Sequence, residues 1–255
     1  MGSEAAEAPP PSAPPSSRVE LNLTGFGKFY NVPINPTMVL MEKIVEFMEH
    51  RVLPPGASID SCTVLETAGL GNLKVLLDLL DSKCSAEGVK VLDSKPSPEV
   101  VDKLVDSEAV SKTLVGGKHE VVWIHFGLET GATCFKVEEQ AVNEASFRCA
   151  DEMGWQPAGE RIVEEDGPIY NVRETVLPTG KIVAELTKLG FDAAVSYDAG
   201  RFVCNYVYYQ SLRHAANHGT KCLFVHVPPF TVIGEQSQLE FVAALLKVVA
   251  SIVIS

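Results

Sequence analysis

Residues 191–205 read FDAAVSYDAGRFVCN, and the fold is decided by how this stretch is parsed. A short β-rich run, Ala193 to Ser196, enters a turn at Asp198-Ala199-Gly200, and a helix begins straight afterwards. One strand–turn–helix unit is the expectation. The alternation continues upstream, where Val19 to Leu23 reads as a strand ending in Thr24-Gly25-Phe26-Gly27. Asn35-Pro36-Thr37 then opens an amphipathic helix with Met38, Met41, Ile44, Val45 and Met48 at helical spacing. Ser58 to Leu65 reads as strand, Leu73 to Leu80 as helix, and Val121 to Phe126 as a buried strand ending at Gly127. Leu128 to Asn143 is mixed and loop-like, and 144–168 irregular. Leu177 to Leu189 is a helix capped by Gly190, and the helix after Gly200 runs to about Asn217-His218-Gly219. Lys221 to Val227 is the last strand, stopped by Pro228-Pro229, before a closing helix over Gln236 to Ile254. Strands alternating with helices predict an α/β protein, a three-layer α/β/α sandwich with a largely parallel central sheet.

The 255 residues suffice to bury one sizeable core, and 46% of them are apolar. Residues 1–17 are Pro-, Ala- and Ser-rich, hold five of the 16 prolines and have nothing to bury, so they read as a disordered tail. Residues 18–255 are expected to form a single domain with a polar surface insertion near 83–120. The net charge of -12 supplies no basic field for a phosphate backbone, which argues against nucleic-acid binding. No uninterrupted apolar run reaches the roughly 20 residues of a membrane span, the nearest being Phe241 to Ile254 with Lys247 inside it. The start carries neither a secretory pattern nor, with Ala6 where Ser or Thr is wanted, a myristoylation signal. Six scattered cysteines without a Cys-x-x-Cys pair read as free thiols in a reducing compartment. A soluble, cytoplasmic protein is the expectation.

The chemistry is expected where two of these segments meet. Cys204 falls in the first turn of its helix, where unpaired backbone N–H groups and the positive end of the dipole favour thiolate. His226 lies near the C-terminal end of the apolar strand 221–227, just before the double proline. In open parallel sheets catalytic groups gather at that carboxyl edge, and an imidazole beside a thiol is what makes it nucleophilic and later protonates a leaving amine. A third group generally orients the imidazole, and Glu138 and Glu139 in FKVEEQAVN are both candidates that spacing alone does not separate.

These residues resemble the pyroglutamyl-peptidase I (pyrrolidone-carboxylate peptidase) family of cysteine peptidases. Ser196-Tyr197-Asp198-Ala199-Gly200-Arg201-Phe202-Val203-Cys204-Asn205 fits every position of that family's nucleophile signature, S-x-[STAD]-A-G-x-[FY]-[LIVN]-C-[DNS]. Phe224-Val225-His226-Val227-Pro228-Pro229 is similar to its histidine region, and Thr24-Gly25-Phe26-Gly27 with Asn35-Pro36 to its first strand and helix start. The resemblance implies Cys204 as nucleophile, His226 as general base and then acid, and Glu138 as the orienting carboxylate, since Glu138 precedes Asn143 as in the family's E-x-x-A-x-N stretch. It further implies Phe26, Phe29, Phe202 and Val203 as walls for a 5-oxoproline ring, with Asn35 and Arg148 also at the site. The substrates implied are peptides with an N-terminal pyroglutamate, cleaved through a thioester on Cys204 without metal or organic cofactor. Because the family includes tetramers, a homo-oligomer using the apolar C-terminal helix is also implied. A neutral lactam needs backbone donors and acceptors between apolar walls, which agrees with the lack of a charged recognition group.

This sequence departs from the family in its first loop. T-G-F-x-P-F-G-G is replaced by Thr24-Gly25-Phe26-Gly27-Lys28-Phe29-Tyr30-Asn31, and Thr130, Lys136 and Glu139 are atypical near the glutamate. A catalytically silent protein on the same scaffold that binds blocked peptide N-termini is therefore the alternative reading. An amidase for another small cyclic amide would use the same residues.

Overall fold

The computed structural model describes residues 17–30, 32–84 and 118–255. The expected tail lies outside them apart from Ser17, and so does the expected insertion apart from its ends, Lys83-Cys84 and Lys118 to Glu120. The strands are β1 (Ser17–Phe26), β2 (Ala57–Leu65), β3 (Lys118–Leu128), β4 (Phe135–Glu138), β5 (Gln140–Val142), β6 (Glu144–Ser146), β7 (Ala158–Arg161), β8 (Val172–Glu174), β9 (Ala193–Ser196) and β10 (Lys221–Val227). The α-helices are α1 (Pro36–Met48), α2 (Leu73–Asp81), α3 (Thr179–Lys188), α4 (Val203–His218) and α5 (Glu235–Ile254).

Six strands form the central sheet in the order β2-β1-β3-β10-β4-β9, and β2, β1, β3 and β10 run parallel. The inner strands β3 and β10 carry apolar runs, Val121–Ile124 and Cys222–Val225, because both of their faces are covered, whereas the edge strand β2 is half-exposed along most of its length. One face buries Leu21, Leu23, Ile124, Val225 and Leu246 under α1, α3 and α5. The other buries Phe26, Trp123, Phe224, Tyr208 and Leu76 under α2 and α4. The result is an α/β/α sandwich. By length and composition α5 would also suffice to cross a membrane, but here Leu239, Val242, Leu246 and Val249 are buried against the sheet.

Two regions differ from the sequence reading. Phe135–Glu138, read as loop, is a sheet strand that pairs antiparallel with β10, and β9 pairs parallel to it. Strand β9 therefore runs against β10, so its carboxyl end does not itself point to the edge where β10 ends. The chain returns through 197–202, and α4 starts beside the end of β10. The interval 144–168, read as irregular, contains β6 and β7 as a small two-stranded sheet.

Candidate active site

The turn before α4 is built by its own polar groups. Gly200 has φ 77°, a left-handed conformation that glycine adopts without steric cost, and its N–H donates to Asp198 Oδ1 at 3.1 Å. Arg201 clamps the same turn by donating to Asp198 Oδ1 at 2.7 Å and Glu144 Oε2 at 3.0 Å. Phe202 caps the helix with extended backbone, and Cys204 is the second helical residue. The N–H groups of such a first turn have no carbonyl partner within the helix and so face outward as donors. Asn205 fixes the turn from behind: wholly buried, it bonds Val142 N and O, each at 2.8 Å, and Glu144 O at 2.9 Å.

Cys204 and His226 line one cleft. The His226 Nδ1–H donates to Glu138 Oε1 at 2.7 Å, and Glu138 is 0% exposed. Burial alone would lower the His226 pKa, but the Cys204 sulfur on one side and the Glu138 carboxylate on the other outweigh it and raise it to about 10. Glu138 is held in turn by the Tyr208 hydroxyl, which donates to its backbone oxygen at 2.9 Å. Glu139 points elsewhere and accepts from Thr179 at the start of α3. The two carboxylates that spacing left open thus occupy different environments.

Around this line lies a cleft of about 310 Å³, at the small end of the roughly 300–1,000 Å³ seen for ligand pockets. Phe26, Phe29, Asn35, Arg148, Phe202 and Val203 all border it, so every residue named for the ring pocket is brought together. Phe29 and Phe202 have ring centroids 6.3 Å apart with the planes tilted by 45°, and the Arg148 guanidinium lies 6.0 Å from the Phe202 ring centre. Asn35 has a second task as N-cap of α1: it accepts from Thr37 N at 3.1 Å and donates to Gly27 O at 3.0 Å, tying the first loop to the helix. In that loop Phe29 and Val32 exchange backbone hydrogen bonds of 3.1 and 2.7 Å. Tyr30 takes φ 37°, a left-handed position where the family motif has glycine.

The sequence reading missed Thr67, Leu128, Glu129, Thr130 and Ser146, which also border the cleft. The three consecutive residues had a signal, since Leu128 ends β3 and Glu129 and Thr130 follow directly on its carboxyl end. Lys136, opposite His226 in the β4–β10 register, bonds Glu129 at 2.7 Å, so its charge is met at the rim by a carboxylate. Among the described residues, the grouping of histidine and cysteine able to hold a metal lies at the other end of α4, outside the cleft.

Comparison with known proteins gives a consistent result. A family model described as "Pyroglutamyl peptidase" matches residues 82–254. The pyrrolidone-carboxylate peptidase of Pyrococcus furiosus is 34% identical over 146 residues, covering 56% of this chain and 68% of that protein. Its counterpart from Fusobacterium nucleatum is 32% identical, covering 63% and 72%. The crystal structure of pyroglutamyl peptidase I from Bacillus amyloliquefaciens superposes with a TM-score of 0.65 at 26% identity, over 93% of this chain and 95% of that one.

Proposed function

Since the chain belongs to the pyroglutamyl peptidase family, cysteine peptidases that remove N-terminal pyroglutamate from peptides, we propose that Cys204, His226 and Glu138 carry out that reaction here. His226 takes the Cys204 proton, and the sulfur attacks the carbonyl carbon joining the pyroglutamyl residue to the next amino acid. Backbone N–H groups at the start of α4 receive the developing oxyanion. As the C–N bond breaks, His226 delivers its proton to the leaving amine, and a thioester remains on Cys204. Water then attacks the thioester carbon, giving a proton to His226, the C–S bond breaks as free pyroglutamate leaves, and that proton is again the one shared between His226 and the Cys204 sulfur. Glu138 holds the imidazole so that Nε2 faces the sulfur.

The reading is carried by the Glu138–His226 hydrogen bond of 2.7 Å ending at a cysteine on the first turn of a helix, all beside one cleft. Phe26, Phe29, Phe202 and Val203 are assigned to the faces of the lactam ring, with Asn35 fixing the first loop and Arg148 at the cleft border. A flat ring bearing an amide but no free ammonium fits such walls, whereas the prolyl analogue would bring an unpaired cation. Six free thiols support a cytoplasmic location, and the half-buried Val248, Ile252 and Val253 of α5 support self-association, which sedimentation of the purified chain tests. Cys204→Ala should abolish hydrolysis of a pyroglutamyl amide while leaving the circular dichroism spectrum unchanged. Retained turnover would overturn the assignment.

A further inference from the structure

Helix α4 has a second chemically equipped end. His218 is its last residue and His214 lies one turn earlier, with the two rings stacked at 4.0 Å between centroids. Against them pack the last residue of α2, Asp81, and Cys84 in the turn that follows. The spacing is Asp-x2-Cys in one segment and His-x3-His in the other, which sets four potential donors on two facing elements. One nitrogen from each ring and the Cys84 sulfur lie within 4.8 Å of one another.

The hydrogen bonds decide which lone pairs remain. His214 Nε2 is 2.8 Å from Asp81 Oδ1, and a carboxylate can only accept, so Nε2 carries the proton. Nδ1 is then an unprotonated acceptor. It is buried with no hydrogen-bond partner among the described residues, in a residue only 6% exposed, and an orphaned buried lone pair of this kind is costly. His218 Nδ1 lies 2.9 Å from the His214 backbone oxygen and must donate to it, which puts the ring's lone pair on Nε2. Both rings thus donate one nitrogen to an oxygen and carry a lone pair on the other, the arrangement found around histidines that ligate metals. An incoming metal must displace the proton of the Cys84 thiol to solvent.

We propose that Cys84 Sγ, His214 Nδ1 and His218 Nε2 form a site for a divalent metal ion of the zinc class, with Asp81 orienting His214. Two imidazoles and one thiolate suit a borderline-soft ion in tetrahedral geometry, with the fourth position open to solvent on the exposed His218 side. Ligand atoms around such an ion stand about 3.3–3.8 Å apart, given bonds of about 2.0–2.3 Å, so the three side chains need to close by about 1 Å. The site is not catalytic: Cys204 and His218 are separated by about 21 Å along the helix axis at 1.5 Å per residue. Its effect is to staple α2 to the helix that carries the nucleophile.

The test uses the full chain with Cys204→Ser, so that the catalytic thiol cannot compete, titrated with Co²⁺ and then Zn²⁺. One equivalent of Co²⁺ should give the intense visible absorption of a tetrahedral ion with a thiolate-to-cobalt charge-transfer band, and Zn²⁺ should displace it and raise the melting temperature. Adding Cys84→Ser should remove the charge-transfer band, and adding His218→Ala should weaken binding at least tenfold. Cys134→Ser should change neither. A weak octahedral spectrum, the absence of stoichiometric binding, or a charge-transfer band that survives Cys84→Ser would each overturn the proposal.

Discussion

At His226 two opposed effects meet, and in the proposed reaction their balance would set the pH range of activity. Burial favours the neutral ring, yet the sulfur and the carboxylate beside it keep the proton on imidazole up to about pH 10. The proposed leaving-group step needs that proton. Activity as kcat/KM should therefore fall on the alkaline side with a midpoint near 10. Glu138→Gln removes one of the charges that raise the pKa, so the alkaline limb should move to lower pH while kcat drops roughly 100- to 10,000-fold. An alkaline limb that stays in place would show that Glu138 does not support the imidazole. Cys204 and His226 were legible in the sequence because each sits at a recognisable junction, a turn into a helix and a strand stopped by two prolines. Glu138 was not separable from Glu139 by spacing, because strand alternation decides which carboxylate faces the histidine and the strand itself had been read as loop.

That misreading has a physical cause at the level of elements. Strand β4 carries Lys136 and Glu138 on the face it shares with His226, and those polar residues erase the apolar signature a central strand normally shows. By contrast β9 and β10 were readable to the residue, since Ala193–Ser196 and Lys221–Val227 contain little but strand formers between turn signals. The direction of β9 was not readable, because nothing local reports that β4 inserts antiparallel. Elements also set how closely Cys204 approaches the sheet. Gly127 stands beside His226 in the β3–β10 register, and a Cβ there would lie 2.8 Å from the Phe224 ring and 2.9 Å from the Cys204 sulfur. Real side chains do not tolerate such contacts, so Gly127→Ala must push α4 or Phe224 away. About 1–3 kcal/mol of overpacking cost is expected. A displaced nucleophile should also lower kcat by up to about 100-fold, more than KM changes. Urea denaturation and steady-state kinetics on the purified variant check both, and unaltered kcat would mean that the sulfur has room the close approach denies.

Across the whole molecule the sheet divides the apolar interior into two cores with different duties. Among the described residues the α1/α3/α5 core contains none of the proposed catalytic residues, whereas the α2/α4 core includes Val203 and Cys204 of the cleft. Phe241 belongs to the first, fully buried and stacked on Phe135 with ring centroids 3.6 Å apart. Phe224 belongs to the second, equally buried, with the His226 ring 4.9 Å from its own and the Gly127 backbone against its edge. Truncating either to alanine removes the same side chain and should cost about 3–5 kcal/mol, seen as a lower urea midpoint. Their kinetic consequences should part company. Phe241→Ala leaves the sheet between the cavity and the site, and mutations that share no partners act nearly independently, so kcat per folded molecule should stay within about twofold. Phe224→Ala opens a void under both the imidazole and the sulfur, and kcat should fall at least tenfold at the same loss of stability. Equal kinetic damage from the two substitutions would mean that the sheet transmits packing changes from one layer to the other. Stability and catalysis would then be properties of a single core rather than of two.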